Sequence, residues 1–389
     1  MRLSRAGRSA ALIAPLFLFL VLFFVWPLVT MMSQSVTDSA VLRLLPRSVE
    51  TIGAWDRQSP PSAAMEEALV ADLREIDDEQ ALGDMVRRLN SAQSGFRTLM
   101  TKTMRAIRAG PLPPEGLAGV DQRWQRPEFW LAIAGALSPY TDRNLLAALD
   151  LGRDTDGSIV QLGADQSVNR VIMLRTFAIS GLVTLACVAI GFPYALVMAS
   201  TSGWRRDLLL AAVLLPLWTS LLVRTAAWFI LLQEQGLIND LLRALGLTEE
   251  PVRLIFNRTG VIVAMTHVLL PFMVLPIYST LITIPGNLMP AAASLGAHPL
   301  RAFVRVLLPL SLRGVASGCL LVFISAIGYY ITPALIGGPG DQMISSIIAF
   351  YALGSANWGM AGALGVVLLV ATLLLYSVYA RLSAEKAPG

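Results

Sequence analysis

The sequence contains little charge for its length. Only 14% of its 389 residues are Asp, Glu, Lys or Arg, whereas 55% are hydrophobic. Soluble domains usually carry about 25% charged residues, so this composition indicates a protein that resides in lipid, and the mean hydropathy of +0.63 agrees. The arginines are scattered and form no basic stripe, which gives no indication of a nucleic-acid partner.

Cysteine and histidine are scarce too, with two of each. Cys187 and Cys319 lie inside apolar runs, as small buried side chains do, and neither His267 nor His298 has a Cys or His neighbour at ligand spacing. We therefore predict no metal, no disulfide framework and no cofactor. The chain also lacks a Gly-x4-Gly-Lys-Ser/Thr phosphate-binding loop and any catalytic constellation, so it is not expected to be an enzyme.

Long apolar runs are what the sequence has instead. A helix needs about 20 mostly apolar residues to cross a bilayer, and six stretches qualify, so we predict an all-α integral membrane protein with six transmembrane helices. The first run is longer than the about 7–15 residues of a signal-peptide core, so we expect it to be retained. The six predicted spans are residues 10–32, 171–200, 208–232, 260–284, 310–331 and 360–382.

Basic residues predict the orientation, because cytoplasmic loops are enriched in Lys and Arg. They precede the first span, fill the links after the second and fourth spans, and follow the sixth, at Arg2, Arg5, Arg8, Arg205, Arg206, Arg301, Arg305, Arg313, Arg381 and Lys386. Six crossings place all of them on one side of the membrane, so both termini are expected in the cytoplasm. The expected divisions are a cytoplasmic tail (1–9), the first span (10–32), a periplasmic insert (33–170), a five-helix core (171–382) and a second tail (383–389).

The insert at residues 33–170 has the composition of a soluble domain and is expected to be mainly helical. Ser62 is a good helix cap before apolar residues at helical spacing, and a second helical stretch runs from Asp77 towards Arg108, where Gly110 and prolines stop it. The insert is either a cap on the outer mouth or a docking surface for a solute-binding protein. Three aromatic residues either form a small core or lie at the lipid interface: Trp124, Phe129 and Trp130.

Four side chains are candidates for a solute pathway: Arg224, Trp228, Tyr329 and Tyr330. An arginine inside a span costs about 2.5–3.5 kcal/mol or more, so it usually faces protein or water. A pathway role for Arg224 competes with a structural ion pair or an outward-reaching side chain. The aromatic residues can offer cation–π contacts, with packing as the alternative. His267 is expected to be a hydrogen-bonded core residue rather than a proton relay.

The cytoplasmic link between the fourth and fifth spans, residues 285–309, has a distinct pattern. Pro290 suits the first turn of a short helix, and Gly296 can supply a left-handed turn. A second short helix, with Leu300, Phe303 and Val306 on one face, is expected to end at Leu308 and Pro309. Two short helices at an angle form a rigid knob that fits a cleft in another protein.

This link resembles the coupling loop of type I ABC importer permeases. Their signature is Glu-Ala-Ala, three residues, Gly, nine residues, Ile, one residue and Leu-Pro. Pro290 stands where the family has glutamate, which removes the charge of the usual contact with the ATPase. The positions that match are Ala291, Ala292, Gly296, Val306, Leu308 and Pro309.

Segments outside the loop resemble the spermidine/putrescine permeases of that family: residues 216–220, 223–228, 236–239, 270–276, 332–339 and 357–358. The resemblance implies a polyamine or related organic cation as the solute. It also implies a location in the bacterial inner (plasma) membrane and three kinds of partner. These are a second, similar permease that forms a heterodimer with this chain, two copies of a cytoplasmic ATPase, and a periplasmic solute-binding protein. Most of residues 33–170 lies outside the resemblance.

Three alternatives remain beside that interpretation. A permease of the same family can carry a different small solute. An ion-coupled transporter needs intramembrane acids as relays, but the six predicted spans contain no Asp or Glu. A membrane sensor needs a signalling domain in the cytoplasm, whereas only residues 383–389 follow the last span.

Overall fold

The computed structural model describes residues 5–154, 158–163 and 167–384, which form two compact units. One unit contains the chain as far as Leu146 together with Trp358–Ala363, and the other contains Ala147–Asn357 and the last helix from Leu364 onwards. The first unit begins with α1 (Arg5–Leu20) and α2 (Trp26–Ser33), which a π-helical turn at Val21–Val25 joins. Leu12–Ser33 is apolar and unburied, as expected of a helix that faces lipid.

The rest of this unit is helical. Its helices are α3 (Pro46–Gly53), α4 (Ala63–Arg74), α5 (Glu79–Ala92), α6 (Phe96–Ala109), α7 (Leu117–Val120), α8 (Pro127–Ala136) and the start of α9 (Arg143–Ala148). The expected cap is present, because the Ser62 hydroxyl accepts a hydrogen bond from the Met65 amide at 3.4 Å. The stretch predicted from Asp77 towards Arg108 is two helices, since Gly95 adopts a φ of +92° between them, a conformation that favours glycine.

An aromatic core holds these helices together. Trp124 and Trp130 are fully buried, and Phe129 is nearly so. The Trp124 indole donates to the Thr103 hydroxyl at 2.9 Å, and the Trp130 indole donates to the Trp124 carbonyl at 2.7 Å. Since buried indole groups need such acceptors, these aromatic residues form a core and do not lie at the lipid interface.

The second unit begins with a hairpin that the sequence did not predict. Strands β1 (Leu151–Arg153) and β2 (Ile159–Gln161) pair antiparallel, with Gly152 opposite Val160. Before them, the buried Asp150 carboxylate accepts hydrogen bonds from the Asn169 and Arg170 amides at 2.9 and 2.8 Å. This contact satisfies free amides at the start of the next helix.

The helices of the second unit are α10 (Asn169–Ser200), α11 (Trp204–Leu214), α12 (Leu221–Leu231), α13 (Leu237–Ala244), α14 (Arg258–Leu281), α15 (Leu288–Ser294), α16 (Pro299–Ala302), α17 (Leu308–Gly328), α18 (Ile331–Ile336), α19 (Ile344–Ala349) and most of α20 (Trp358–Ala384). Within the described residues, five helices are long and apolar enough to cross a membrane, and six if a bent pair counts as one span. The expected all-α membrane fold is therefore confirmed.

The bent pair is the segment predicted as a continuous third span. A short 3-10 turn at Leu215–Trp218 follows α11. The chain then bends by 101° between the segment Trp204–Trp218 and α12. Pro216 has no amide to donate, and the Ser220 hydroxyl caps α12 by accepting from the Val223 amide at 3.2 Å. The apolar run does not show this break, because hydropathy records composition and not backbone direction.

Helix α14 is the most deeply buried of the long apolar helices, and α10 and α17 pack against it. Small residues make this possible. A Cβ on Gly314 of α17 would lie 2.8 Å from the Pro276 carbonyl oxygen, and one on Gly318 would lie 3.1 Å from the Met273 carbonyl oxygen. Glycine at this four-residue spacing lets helix backbones approach closely in a membrane.

We expect Gly314→Ala to lower the midpoint of thermal unfolding in mild detergent, because its Cβ needs the backbone of α14 to move, at a cost of about 1–3 kcal/mol. Gly181→Ala in α10 is the matched control, since a Cβ there meets nothing within 4 Å. The measurement is the loss of the monodisperse peak on heating. Equal midpoints for the two variants would show that α14 and α17 are less tightly packed than described.

Candidate functional site

The link between α14 and α17 forms two helical arms joined by a sharp turn. The first arm, α15, ends at Leu295, and Gly296 follows with a φ of +82°. The Gly296 amide donates to the Ala293 carbonyl at 2.9 Å, and the Ala297 amide donates to the Ala292 carbonyl at 3.1 Å. This pair of bonds is a Schellman motif, which closes a helix and requires a left-handed residue. The turn is therefore fixed by backbone hydrogen bonds.

The second arm starts at His298, whose Nδ1 accepts from the Leu300 amide at 3.4 Å. The prediction that this arm ends at Leu308 and Pro309 is wrong. It continues through α16 and a π-helical turn at Phe303–Leu307 into α17, so Pro299–Gly328 is one long helix. Pro309 is tolerated because it lies in the first turn of α17, where its missing amide is not needed.

The loop buries one side and exposes the other. Ala302 is buried, and the Phe303 ring packs against Phe192 with centroids 6.2 Å apart. Leu295 at the turn is 89% exposed and Leu300 is 66% exposed. Leu300 therefore does not share the half-buried environment of Phe303. Uncovered leucines at the tip of an ordered loop form an exposed apolar surface, a feature that marks contact sites for proteins or membranes.

The remaining predicted loop residues lie along both arms. Pro290 and Ala291 are exposed on α15, where Ala292 is half-buried. Val306 and Leu308 are half-buried, and Pro309 is exposed, around the start of α17. Leu295 was not among the predicted loop residues, although its position immediately before the turn glycine is a signal that the sequence contains.

Two of the predicted pathway residues lie on one face of α12. Arg224 and Trp228 are four residues apart, and residues at this spacing are neighbours on a helix. The Trp228 indole donates to Nδ1 of His267 on α14 at 3.1 Å, with the two rings 5.4 Å apart. The arrangement requires that Nδ1 carry no proton. His267 is hydrogen-bonded, as predicted, but it is exposed rather than part of the core.

Arg224 is close enough to His267 and Tyr329 to act electrostatically on both. Within the described residues, its Nε and Nη1 are buried and donate a hydrogen bond to no partner. The structural ion pair considered for it is therefore not found there. Buried guanidinium nitrogens with unused donors are costly unless something else supplies acceptors.

The two tyrosines differ in their surroundings. Tyr329 is half-buried among the residues around α14, and its carbonyl accepts from the Ser345 hydroxyl at 2.6 Å. Tyr330 is 42% exposed, and its carbonyl accepts from the Ser346 hydroxyl at 3.3 Å. The structure therefore groups Arg224 and Tyr329 with Trp228 and adds His267. Among the contacts of the described residues, none joins the Tyr330 ring to that group.

A hydroxyl pair that the sequence did not indicate fixes α12. Thr225 and Thr332 are both buried, and their hydroxyl oxygens are 3.1 Å apart. This bond joins α12 to α18 immediately beside Arg224. It holds the short arm of the bent pair in place, so the cluster of Arg224, Trp228, His267 and Tyr329 (the α12 cluster) has a defined geometry.

A bundle of long apolar helices, a broken span and an ordered loop with uncovered leucines define a membrane transport subunit. Residues 191–386 match the family described as binding-protein-dependent transport system inner membrane component, and the chain belongs to that family. Members are membrane components of transport systems and not enzymes, as predicted. The family match leaves residues 33–170 outside it.

Similar proteins agree with the expected resemblance, which is confirmed. The chain is 35% identical over 210 residues to the spermidine/putrescine transport system permease protein PotB of Haemophilus influenzae, covering 54% of this chain and 73% of the relative. It is 34% identical over 212 residues to PotB of Escherichia coli, covering 54% and 77%. It is also 34% identical over 230 residues to the inner membrane ABC transporter permease protein YdcU of Escherichia coli, covering 56% and 72%.

Solved structures are similar at lower identity. A bacterial ABC transporter that imports the acidic polysaccharide alginate is 19% identical, with 57% of this chain and 80% of that chain covered and a TM-score of 0.46. The MetNI methionine ABC transporter in an inward-facing form is 19% identical, with 56% and 96% covered and a TM-score of 0.44.

Proposed function

We propose that the chain is the permease subunit of an ATP-driven importer of the bacterial inner membrane, with both termini in the cytoplasm. The observation that carries this proposal is the ordered loop between α14 and α17, which exposes Leu295 and Leu300. Its cytoplasmic position follows from Arg301 and Arg305 in the second arm. A cleft on a cytoplasmic ATPase covers these leucines, and two copies of the ATPase serve two permease subunits.

The loop transmits movement because both of its ends continue into packed helices. Pro299–Gly328 is one long helix, and Gly314 and Gly318 within it press against α14. A displacement at Gly296 therefore reaches the α12 cluster through rigid elements, since packed interfaces switch between discrete arrangements rather than deform continuously. ATP binding closes the ATPases, the loop follows, and the spans alternate their access to a solute that a periplasmic binding protein delivers.

We infer that the solute is a polyamine such as spermidine or putrescine, or a related organic cation. The support is the similarity to two PotB proteins, whose names state spermidine/putrescine transport. Trp228, Tyr329 and Tyr330 supply aromatic faces for a cation. A different small solute of the same family is the second candidate, favoured by the positive charge of Arg224 in the α12 cluster.

The charge of this cluster bears on the partner permease. The predicted spans contain no Asp or Glu, so a cation at the α12 cluster needs its carboxylates from another chain. A second permease of different sequence supplies them, which favours a heterodimer of permeases over two identical copies.

We expect Gly296→Asp to leave the subunit inserted and to uncouple ATP hydrolysis from uptake. The left-handed backbone at Gly296 costs a residue with a Cβ roughly 1 kcal/mol or more, and the new carboxylate enters the surface that the ATPase covers. The measurement is solute uptake and ATP hydrolysis by the assembled transporter in proteoliposomes. The expected result is lost uptake with hydrolysis retained.

Two variants separate the charge from the backbone. Gly286→Asp places the same carboxylate in the same link, at a glycine with no left-handed φ and nothing within 4 Å of a Cβ. Gly296→Asn keeps a residue that tolerates the left-handed region and adds no charge, so it should retain most uptake. Normal uptake by the Gly296→Asp variant would show that the loop does not couple ATP hydrolysis to uptake.

A second prediction tests the solute. If aromatic faces bind a cation, Trp228→Leu and Tyr329→Leu should each raise the KM for spermidine uptake by about 2- to 30-fold, which corresponds to about 0.5–2 kcal/mol per cation–π contact. Tyr329→Phe should change the KM little, because it keeps the ring. ATP hydrolysis should remain stimulated when solute is saturating.

The control for this test is Phe256→Leu, an exposed aromatic residue outside the α12 cluster that packs against Phe229. An unchanged KM for both cluster variants would argue for packing. If the transporter hydrolyses ATP and its loop is functional, but it takes up no polyamine, the second candidate solute is favoured.

A further inference from the structure

The insert contains an open groove between the antiparallel helices α5 and α6, with a volume of about 540 Å³. Its floor is apolar and comes equally from both walls. Leu82 and Val86 are half-buried on α5, and Met100 and Met104 are buried on α6. Each pair is spaced four residues apart, so each follows one turn of its helix. The groove between α5 and α6 therefore suits a third helix that packs against both of them.

Arginines line both edges of this groove. Arg87 is on α5, and Arg97, Arg105 and Arg108 are on α6, all of them exposed. Arg108 lies 3.5 Å from Glu79, and Arg87 pairs with Asp84. In the part of the chain that the structure describes, Arg97 and Arg105 form no ion pair with a carboxylate. The edges consequently carry an excess of positive charge beside an apolar floor.

We propose that this groove binds an acidic amphipathic helix of a partner protein. An amphipathic helix places apolar residues at i, i+3, i+4 and i+7 into such a slot, and carboxylates at its flanks meet guanidinium groups that pair with them in a bidentate way. Methionine adapts to the side chains that enter. The arginines favour an acidic ligand. The apolar floor, whose side chains are spaced four residues apart on each wall, favours a helix over an unstructured acidic segment.

Gly83 gives the groove its room and provides a specific test. It lies in the wall formed by α5, and a Cβ there would meet only Nη1 of Arg87, at 3.6 Å. Gly83→Ala is therefore accommodated, and alanine is a better helix former than glycine. Gly83→Phe keeps the charge of the groove and fills its space.

The experiment uses the full chain in nanodiscs of neutral phosphatidylcholine and a fluorescein-labelled peptide of about 15 residues, long enough for four helical turns. The peptide carries Leu at helical spacing with Glu on both flanks. Two further peptides replace every Leu by Ser, or every Glu by Lys. Binding is followed by fluorescence anisotropy at low and at physiological salt. No solute or ATPase is required, so the result is independent of the proposed transport function.

We expect the Leu/Glu peptide to bind and the Ser/Glu and Leu/Lys peptides not to bind. The double variant Arg97→Glu with Arg105→Glu should weaken it about tenfold, because two attractions become repulsions, and Gly83→Phe should weaken it comparably. Gly83→Ala and Arg126→Glu are the controls and should bind like the parent, since Arg126 is exposed outside the groove.

Three outcomes would overturn the proposal. Equal binding of the Ser/Glu peptide would show general attraction to arginine without use of the groove. An equal loss from Arg126→Glu would show that only the net charge of the insert matters. The third outcome concerns phosphatidylglycerol vesicles. If they displace the peptide, bind the chain as tightly as the peptide does, and no longer bind the double variant Arg97→Glu with Arg105→Glu, the surface is a site for a lipid headgroup.

Discussion

The close approach of α17 to α14 is the contact on which the rest of the transport unit depends. Gly314 and Gly318 let the two backbones meet where a Cβ would lie only 2.8 or 3.1 Å from a carbonyl oxygen of α14. Lipid supplies no hydrophobic force between helices, so association in a membrane depends on such packing. Because the loop that carries Gly296 joins these same two helices, its position is set by their contact. The α12 cluster depends on it as well, through His267 on α14.

In the proposed mechanism, the loop passes the movement of a bound ATPase to the spans. A flexible link would absorb any movement of a bound partner, but the Schellman turn closes α15 and the second arm runs unbroken into α17. Leu295 and Leu300 are thus exposed on an ordered support that continues into α17. The π-helical turn at Phe303–Leu307 is the one irregularity in that support, and Phe303 within it packs against Phe192, which limits its movement.

Composition and periodicity were sufficient to predict the membrane helices, which depend on burial in lipid. They were insufficient to predict the direction of the chain where a single backbone group determines it. Apolar length predicts the membrane helices because a helix satisfies its own backbone hydrogen bonds in hydrocarbon and needs about 20 apolar residues to cross it. It cannot show the 101° break after Trp218, which depends on Pro216 and the Ser220 cap. The positive φ of Gly296 agrees with its place in the loop pattern. The continuation of the second arm past Pro309 was missed, because proline marks a helix start as readily as an end.

The α12 cluster shows why the spans alone cannot define the solute. Aromatic faces offer a cation about 0.5–2 kcal/mol each, whereas a neighbouring guanidinium opposes it at every distance. With Arg224 fixed beside Thr225 and no carboxylate in the predicted spans, the electrostatic balance at this position is positive. If the solute is a polyamine, as proposed, its net attraction to this position would have to come from acids on the proposed partner permease. The same acids would supply acceptors for Nε and Nη1 of Arg224, which find none among the described residues.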